Sequence, residues 1–281
     1  MKRWIRLHWR TVVSYLFLIV YALFIIAPLY WLLTGAFKPE TEIVSYPPTI
    51  IPKSVTLEHV RGVLANPMIV RFFANSIVVA LGTILVSLVI SIMAGYAFSR
   101  LEFKSKRALM VFIMSVQMIP FVTLIIPLYF IFANMGLLDT YTSLVLVYSA
   151  GAVPLNIWLL KGYFDSIPGE LEESAMIDGC TGLQAFFKIL LPLSAPGISA
   201  AIIFSFITAW NEFMVALVMT SSTSMRTYPV GLYYFVGIRY GQVDWGPLSA
   251  ALFIATVPLL IVFIFFEKQF ITGLTGGALK G

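Results

Sequence analysis

Six long stretches of apolar residues follow one another along the chain, and they contain almost no charged side chains. Each stretch is long enough to cross the hydrocarbon core of a bilayer, roughly 30 Å thick, as an α-helix whose backbone groups bond to one another. The alternation of polar and apolar positions that marks membrane-spanning strands is absent. The pattern therefore predicts an all-α membrane protein with six transmembrane helices, at about 12–33, 72–98, 108–133, 141–160, 198–219 and 248–266.

The composition excludes a soluble protein. Of the 281 residues, 60% are hydrophobic and 11% are charged, whereas about a quarter of the residues in soluble domains are charged. The mean hydropathy is +0.94, and six spans of about 20 residues each leave little chain for a second domain. The first stretch is longer than the apolar core of a signal peptide, so we expect it to be retained as an anchor.

Basic residues indicate how the spans are oriented, because Lys and Arg resist transfer across the membrane. With the amino terminus inside, the inner segments hold twelve of the 18 Lys and Arg residues and the outer segments hold six. Both termini are therefore predicted to be cytoplasmic: a terminus at 1–11, a six-span domain at 12–270 and a tail at 271–281. The net charge of +5 lies in short runs between apolar blocks, which argues against a nucleic-acid partner.

Small residues and prolines modify several predicted spans. In the second span, small side chains recur at every fourth position and permit close helix packing in lipid, at Ser87, Ser91 and Gly95. Prolines interrupt three later spans, at Pro120, Pro127, Pro154 and Pro258. These prolines indicate either simple kinks or broken helices that line a transport path. Gln117 and Asn156 lie close to them and are the candidate path residues.

The longest predicted inner segment, 161–197, is interpreted as two short helices. Ser166-Ile167-Pro168 is a helix start signal, and carboxylates follow in the first turns, at Glu170, Glu172 and Glu173. Gly179 ends the first helix, Thr181 and Gln184 fit a capping box for the second, and Pro192 closes it. Glu170 and Glu172 are read as complements of the helix dipole. Glu173 instead borders Ala175 and Gly179, a nearly bare face that suits docking to another protein.

This segment carries a motif with fixed spacing. Glu173-Ser174-Ala175, then Gly179, then Ile189, Leu191 and Pro192 match the pattern E-A-A-x3-G-x9-I-x-L-P, with Ser174 in place of one alanine. By this motif the chain resembles the permeases of binding-protein-dependent ABC importers. Three features resemble the carbohydrate branch, and specifically the smaller permease of maltose-type transporters: Asp178-Gly179, Trp210-Asn211-Glu212-Phe213, and the tail from Gly273 to Gly281.

The resemblance implies a type I ABC importer permease in a bacterial or archaeal plasma (inner) membrane, with the hairpin at 166–192 as its coupling helix. It also implies four kinds of partner: a second permease in a heterodimer, two ATPase subunits, an extracytoplasmic binding protein and the bilayer. Glu173 would pair with a basic residue of the ATPase, and the tail, through Gly273, Gly276 and Gly277, would enter the ATPase dimer interface. The 220–247 loop would reach toward the binding protein. Its tyrosines fit an aromatic belt at the membrane interface equally well, at Tyr228, Tyr233, Tyr234 and Tyr240.

The sequence lacks the phosphate-binding motif G-x-x-x-x-G-K-[ST]. ATP and Mg are therefore expected on the partner ATPase subunits, and this chain is expected to be a non-catalytic subunit that binds no cofactor. A single cysteine, Cys180, excludes a multi-cysteine metal site, and no metal site is predicted.

Glu212 is a carboxylate placed well inside a predicted span, which makes it a candidate functional group. In one interpretation Glu212, Asn211 and Trp210 face the path of a sugar. In the other, Glu212 lies at the interface with the companion permease. Two alternatives to a sugar importer also stay open: a permease for amino acids, peptides or metals, and an ion-coupled secondary transporter that uses Glu212.

Overall fold

The computed structural model describes the backbone of residues 2–239 and 242–278, and the side chains of residue 9 and of residues 11–236 and 243–268. The chain divides into two compact units, Met1–Pro67 with Leu232–Val257, and Met68–Gly231 with Pro258–Gly281. In chain order the α-helices are α1 (Lys2–Phe37), α2 (Glu40–Ile43), α3 (Glu58–Ala65), α4 (Pro67–Arg100), α5 (Lys106–Val116), α6 (Phe121–Asn134), α7 (Tyr141–Ser166), α8 (Glu170–Ile177), α9 (Gly182–Ala185), α10 (Leu191–Leu193), α11 (Ala195–Trp210), α12 (Met214–Met219), α13 (Tyr228–Leu232) and α14 (Trp245–Ala278).

Shorter elements complete the secondary structure. A π-helical turn occupies Phe186–Leu190, and 3-10 turns occupy Thr223–Met225 and Tyr233–Phe235. Strands β1 (Val236–Arg239) and β2 (Gln242–Val243) pair antiparallel, with Val236 opposite Val243. This small β-hairpin lies within the 220–247 loop, outside the predicted spans.

The part of the chain that the structure describes contains four helices long and apolar enough to cross a membrane: Thr11–Phe37, Pro67–Arg100, Tyr141–Ser166 and Trp245–Lys268. Two further pairs qualify if each pair is one bent span. Lys106–Val116 with Phe121–Asn134 bends by 92°, and Gly182–Leu193 with Ala195–Trp210 bends by 73°. The described residues therefore provide four to six candidate spans, against the six that the sequence predicts.

The third apolar stretch is divided into two helices by a turn at 117–120. Its backbone N–H groups bond three residues back, as in Ile119 N to Val116 O at 3.2 Å, and Pro120 then precedes α6 with an extended ψ of 118°. Pro120 has no N–H to continue the helical ladder. Of the two alternatives, Pro120 therefore marks a broken helix, whereas Pro127 lies inside α6 without ending it.

The fifth apolar stretch, at 198–219, is also divided. Helix α11 ends at Trp210 and α12 begins at Met214, so Asn211, Glu212 and Phe213 form a non-helical connection. The second helix of the 161–197 segment continues through Pro192 to Leu193, one residue beyond the expected end. Pro192 stands at the second position of α10, where its missing N–H breaks no bond within that turn.

The first unit contains an apolar helix, α1, most of whose described side chains are exposed. The most apolar window of α1 has none of its residues buried, so the exposed side chains from Val12 to Leu33 require lipid or another chain around them. After α1, the loop folds around Glu42, whose Oε1 accepts hydrogen bonds from Thr49 Oγ1 at 2.5 Å and Lys53 N at 3.0 Å. These bonds lower the pKa of Glu42.

The second unit is held together by close packing of α4 and α11 against α7. Ser87 and Ser91 on α4 are fully buried. A Cβ added at Gly95 would lie 3.2 Å from Leu160 Cβ and 3.3 Å from the backbone N of Lys161. The expected ridge of small residues is therefore confirmed, because a larger residue at Gly95 would push α7 away.

The last helix includes the glycines of the expected tail. The backbone of α14 is helical through Ala278, so Gly273, Gly276 and Gly277 are in a helix, while residues 279–281 lie outside the described residues. Pro258 also lies within α14.

Candidate functional site

The segment at 166–193, called the hairpin below, carries the sequence motif. Helix α8 begins after Pro168 and Gly169, and its first turn holds the three expected carboxylates. The capping box of α9 is present. Thr181 N donates to Gln184 Oε1 at 2.8 Å, and Gln184 N donates to Thr181 Oγ1 at 3.2 Å. Two orphan donors at the start of α9 are thereby satisfied.

The turn between the two helices depends on Gly179. It has φ +93°, a backbone conformation that L side chains rarely adopt. Cys180 N donates to Ala175 O at 2.9 Å and Gly179 N donates to Met176 O at 3.1 Å. This pair of bonds is a Schellman motif, which stops α8 and turns the chain toward α9. The residue that the sequence motif fixes as glycine is thus required by its backbone.

Glu172 fastens the hairpin to the end of α4. Arg100 Nε donates to Glu172 Oε2 at 2.5 Å, and Arg100 Nη2 donates to the carbonyl of Ile167 at 2.9 Å. The Glu172 side chain is 9% exposed and that of Arg100 is 18% exposed. Glu172 was read from the sequence as a complement of the helix dipole only. No local pattern predicts a partner 72 positions away.

Glu173, next in the chain, is exposed. Ser174, Asp178 and Gly179 are exposed with it, and Ile177 is 86% exposed. Ala175, by contrast, is only 8% exposed. The open face of α8 is therefore an acidic and apolar surface around Glu173, Ile177 and Gly179, without Ala175. Ile189 and Leu191 are half-buried and Pro192 is exposed.

A cavity of about 320 Å³ in the second unit brings together three of the candidate path residues, Gln117, Asn156 and Glu212. Gln117 comes from the turn between α5 and α6, Asn156 from α7, and Glu212 from the connection after α11. The rest of the lining is mostly apolar, with two further polar side chains, Tyr148 and Thr208. A mostly apolar wall with a few placed polar groups is the usual character of a small-molecule site.

Donors from its own chain surround Glu212. Its Oε1 accepts a hydrogen bond from Val215 N at 2.9 Å, and its Oε2 accepts bonds from Ala216 N at 3.1 Å and Tyr148 OH at 2.9 Å. The two backbone N–H groups belong to the first turn of α12, where the helix dipole favours a negative charge. Glu212 therefore caps α12, a role that the sequence analysis did not predict.

Asn156 is fully buried in a polar cluster at the cavity wall. Its Nδ2 donates to Ser205 Oγ at 2.7 Å, and Ser205 Oγ lies 3.0 Å from Ser87 Oγ. Asn156 Oδ1 is buried and accepts no hydrogen bond from the residues that the structure describes. Leaving a buried acceptor without a donor costs about 1–3 kcal/mol.

Trp210 and Asn211 lie outside the lining of this cavity. Trp210 is 3% exposed and stacks on Phe206 at 5.5 Å and on Tyr228 at 6.4 Å, with Phe73 edge-on at 5.5 Å. It is thus part of the core of the second unit and does not line the cavity. Asn211 is exposed. Of the run Trp210-Asn211-Glu212, only Glu212 reaches the cavity.

The turn before α7 is tied to the end of α12 through Asp139. Its carboxylate accepts hydrogen bonds from the backbone N–H groups of Ser221 and Ser222, both at 3.0 Å, while its own N–H donates to Met219 O at 2.9 Å. Burial alone raises the pKa of Asp139, but the hydrogen bonds from Ser222 and Ser221 outweigh this effect and the pKa is lowered.

No cluster of His, Cys, Asp and Glu suitable for a metal occurs among the described residues.

Comparison with known proteins gives consistent matches. Residues 87–274 match the family described as the binding-protein-dependent transport system inner membrane component. The diacetylchitobiose uptake permease protein DasC of Streptomyces coelicolor is 36% identical over 92% of this chain and 92% of its own length. The trehalose/maltose transport permease protein MalG of Thermococcus litoralis is 36% identical over 94% of each chain.

The fold matches as well. A chain of a bacterial ABC transporter that imports the acidic polysaccharide alginate superposes with a TM-score of 0.81 at 20% identity, over 95% of this chain and 98% of that chain. The family match and the two relatives confirm the resemblance found from the hairpin motif. The chain belongs to the family of binding-protein-dependent transport system inner membrane components.

Proposed function

We propose that this chain is a permease subunit of an ATP-driven ABC importer and forms half of the membrane path for a sugar or sugar-like solute. The observation that carries the proposal is the hairpin, which presents Glu173 and Gly179 at the surface and is fixed to α4 by the buried Arg100–Glu172 pair. Relatives named for diacetylchitobiose and for trehalose and maltose support the sugar class.

In this proposal the chain crosses the plasma (inner) membrane six times, with α5 and α6 together forming the third span, α11 and α12 together forming the fifth, and both termini cytoplasmic. The two-to-one excess of Lys and Arg in the inner segments supports this orientation. The chain then has a terminus at 1–11, a permease domain at 12–270 and a tail at 271–281. The hairpin lies in the cytosol.

The exposed helix α1 supports a second permease as partner, because an apolar helix without burial in its own chain gains packing from a neighbouring chain. Membership in a binding-protein-dependent family supports a solute-binding protein on the outer side. Two ATPase subunits would bind the hairpins of the two permeases, and the helical tail with Gly273, Gly276 and Gly277 would contact the ATPase dimer.

Coupling follows from how the hairpin is attached. Closure of the ATPase dimer on ATP would pull on the exposed face of α8, and the Arg100–Glu172 pair would pass the displacement to α4. Movement of packed helices as rigid bodies is a common means of alternating access. The ATPase subunits would hold ATP and Mg, and this chain would supply no catalytic residue and bind no cofactor.

The test is uptake by cells in which this gene is deleted and then restored, with [14C]maltose, [14C]trehalose and [14C]N,N′-diacetylchitobiose as probes. We expect restoration to return uptake of at least one probe, with loss on ATP depletion and persistence in a proton uncoupler when ATP is maintained. A Glu173→Lys restoration strain is the matched control. Uptake that collapses with the uncoupler at constant ATP would assign the chain to ion-coupled transport instead.

A further inference from the structure

The cavity lined by Glu212 and Asn156 contains acceptor positions that receive no hydrogen bond from the described residues. The hydroxyl groups in its wall already donate their protons to other acceptors. Tyr148 OH donates its proton to Glu212, and Thr208 Oγ1 donates its proton to Phe204 O at 2.8 Å. Each carboxylate oxygen has about two acceptor positions. Glu212 Oε1 receives one bond among the described residues, from Val215 N, so one of its positions is open.

In this hydrogen-bond network Asn156 presents Nδ2 to Ser205 Oγ, and Ser205 Oγ donates to Ala201 O at 2.8 Å. Asn156 Oδ1 then lies on the other side of the amide, without a donor from the described residues. The cavity wall thus contains a second open acceptor, on a side chain that is completely buried.

Three neutral donors already stabilise the Glu212 carboxylate, two of them at the start of α12. A cation is therefore not required, and a neutral donor such as a hydroxyl group fits the open positions. The volume of about 320 Å³ lies at the small end of the roughly 300–1,000 Å³ of ligand sites, which suits one sugar ring. Phe121 and Phe204 supply apolar wall for the carbon face of such a ring.

We propose that this cavity is a subsite for one ring of the transported solute, with hydroxyl groups of that ring donating to Asn156 Oδ1 and Glu212 Oε1. The proposal rests on the proposed function, because it takes the cavity to be part of the path. Asn156 is enclosed in the present arrangement, so its bond to the solute forms when the helices around the cavity separate during transport. This chain would then help to select the solute.

The first test uses the complete transporter in proteoliposomes with saturating binding protein and ATP. The probes are the sugar of the maltose, trehalose and diacetylchitobiose panel that the wild type imports, and its singly deoxygenated analogues. We expect the wild type to transport at least one analogue about tenfold more slowly than the parent sugar, the effect of one lost hydrogen bond. In Asn156→Leu that ratio should fall to about one.

Ser91→Ala is the matched control, because Ser91 is buried in the same helix packing, bonds Val153 O at 3.4 Å and lies outside the cavity. It should keep the wild-type ratio. If Asn156→Leu slows transport of the parent sugar and of every analogue by the same factor, the variant has only a packing defect. This outcome would overturn the proposed subsite.

A second test does not depend on Asn156. In a Cys180→Ser background, Thr208→Cys places one thiol in the cavity, where residue 208 is exposed. The transported sugar should slow its alkylation by N-ethylmaleimide several-fold, while Glu102→Cys, at an exposed position outside the cavity, should react at an unchanged rate. Absence of protection at 208 would also overturn the subsite. If the wild type imports no sugar of the panel, the proposed function itself fails, which is a different result.

Discussion

Glu172 in the hairpin and Glu212 at the cavity are both carboxylates removed from full contact with water, but they are stabilised in different ways. Glu172 has a full opposite charge, the guanidinium of Arg100 at 2.5 Å. Glu212 has Tyr148 OH and two backbone N–H groups at the start of α12. A charge pair fixes two helices to each other, whereas dipolar donors fix a charge without a counter-ion and leave acceptor capacity for a ligand.

Under the proposed function, this difference separates a part that transmits force from a part that binds the solute. The hairpin is exposed at Glu173 and anchored at Glu172, so a displacement of the open face of α8 would reach α4 through Arg100. The cavity is lined by residues of one compact unit and contains an acceptor, Asn156 Oδ1, without a donor among the described residues. The predictions below are ordered by the size of the expected effect.

Reversing one charge of the anchor should have the largest effect. Arg100→Glu or Glu172→Arg leaves like charges in a mostly buried place, and loss of such a pair costs about 3–5 kcal/mol. Uptake per permease molecule in the membrane should fall to background. The double reversal Arg100→Glu/Glu172→Arg should recover a large part of it.

The Lys106–Glu102 pair is the control for this reversal, since Glu102 is 90% exposed and the pair is separated by 3.1 Å. Exposed pairs of this kind contribute about 0.3–0.5 kcal/mol, so Glu102→Lys should transport at nearly the wild-type rate. If the double reversal were as inactive as either single change, α4 would not be driven through this ion pair.

Changes on the open face of the hairpin should abolish coupling and leave the fold intact. Glu173→Lys reverses an exposed charge that the structure does not use for its own packing, and Gly179→Asp adds a side chain at φ +93° at a cost of about 1–2 kcal/mol. Both variants should reach the membrane at normal abundance, fail to retain ATPase subunits on purification and show no uptake.

Glu170→Lys, on the same first turn and also exposed, tests whether position matters in addition to charge. We expect it to retain most of the uptake, because residue 170 lies outside the motif. Equal loss in Glu170→Lys and Glu173→Lys would mean that the hairpin needs only net negative charge.

These two regions also differ in how much of them the sequence could predict. The hairpin is local: its motif, its capping box and the need for Gly179 all fall within 20 consecutive positions, and the structure contains the capping box and a positive φ at that glycine. The Arg100–Glu172 pair was missed because it joins residues far apart in the chain, and neither hydropathy nor spacing encodes that contact.

The cavity shows the same limit of prediction from sequence: its polar residues could be identified, but their contacts could not. Gln117 and Asn156 were predicted as path residues because they lie close to prolines, and Glu212 because it is a carboxylate inside a span. The structure brings all three to one cavity. Their surroundings were not predictable, because burial of Trp210 in an aromatic stack and capping of α12 by Glu212 depend on packing between α4, α7 and α11. A break near Pro120 was one of the two alternatives that the sequence left open, whereas the break at 211–213 was not predicted, because no proline marks it.

Neutralising Glu212 should have a moderate effect. Glu212→Gln removes the negative charge at the start of α12 and places an amide NH2 against backbone donors, at a cost of about 1 kcal/mol. We expect the purified complex to unfold at a slightly lower temperature and uptake to be reduced by severalfold or less. Tyr148→Phe, which removes only one donor, should be milder. Complete loss of uptake in Glu212→Gln at normal abundance would favour an ion-coupling role.

The smallest effect is expected outside the spans, at Asp139. Because the pKa of this carboxyl is lowered in the folded chain, the ionised form stabilises the fold above the unfolded pKa of about 3.9, and this contribution disappears as the pH falls through the folded value. Asp139→Asn keeps a side chain that tolerates the positive φ of 60° but loses the charge. It should lower stability at pH 7 by about 1 kcal/mol, discounted for partial exposure.

Thermal unfolding followed by tryptophan fluorescence checks this prediction. The difference in unfolding temperature between wild type and Asp139→Asn should stay constant between pH 5 and 8 and narrow only below about pH 4. A difference that is the same at every pH would mean that the carboxylate charge contributes nothing, and that the loss comes from altered shape at the turn.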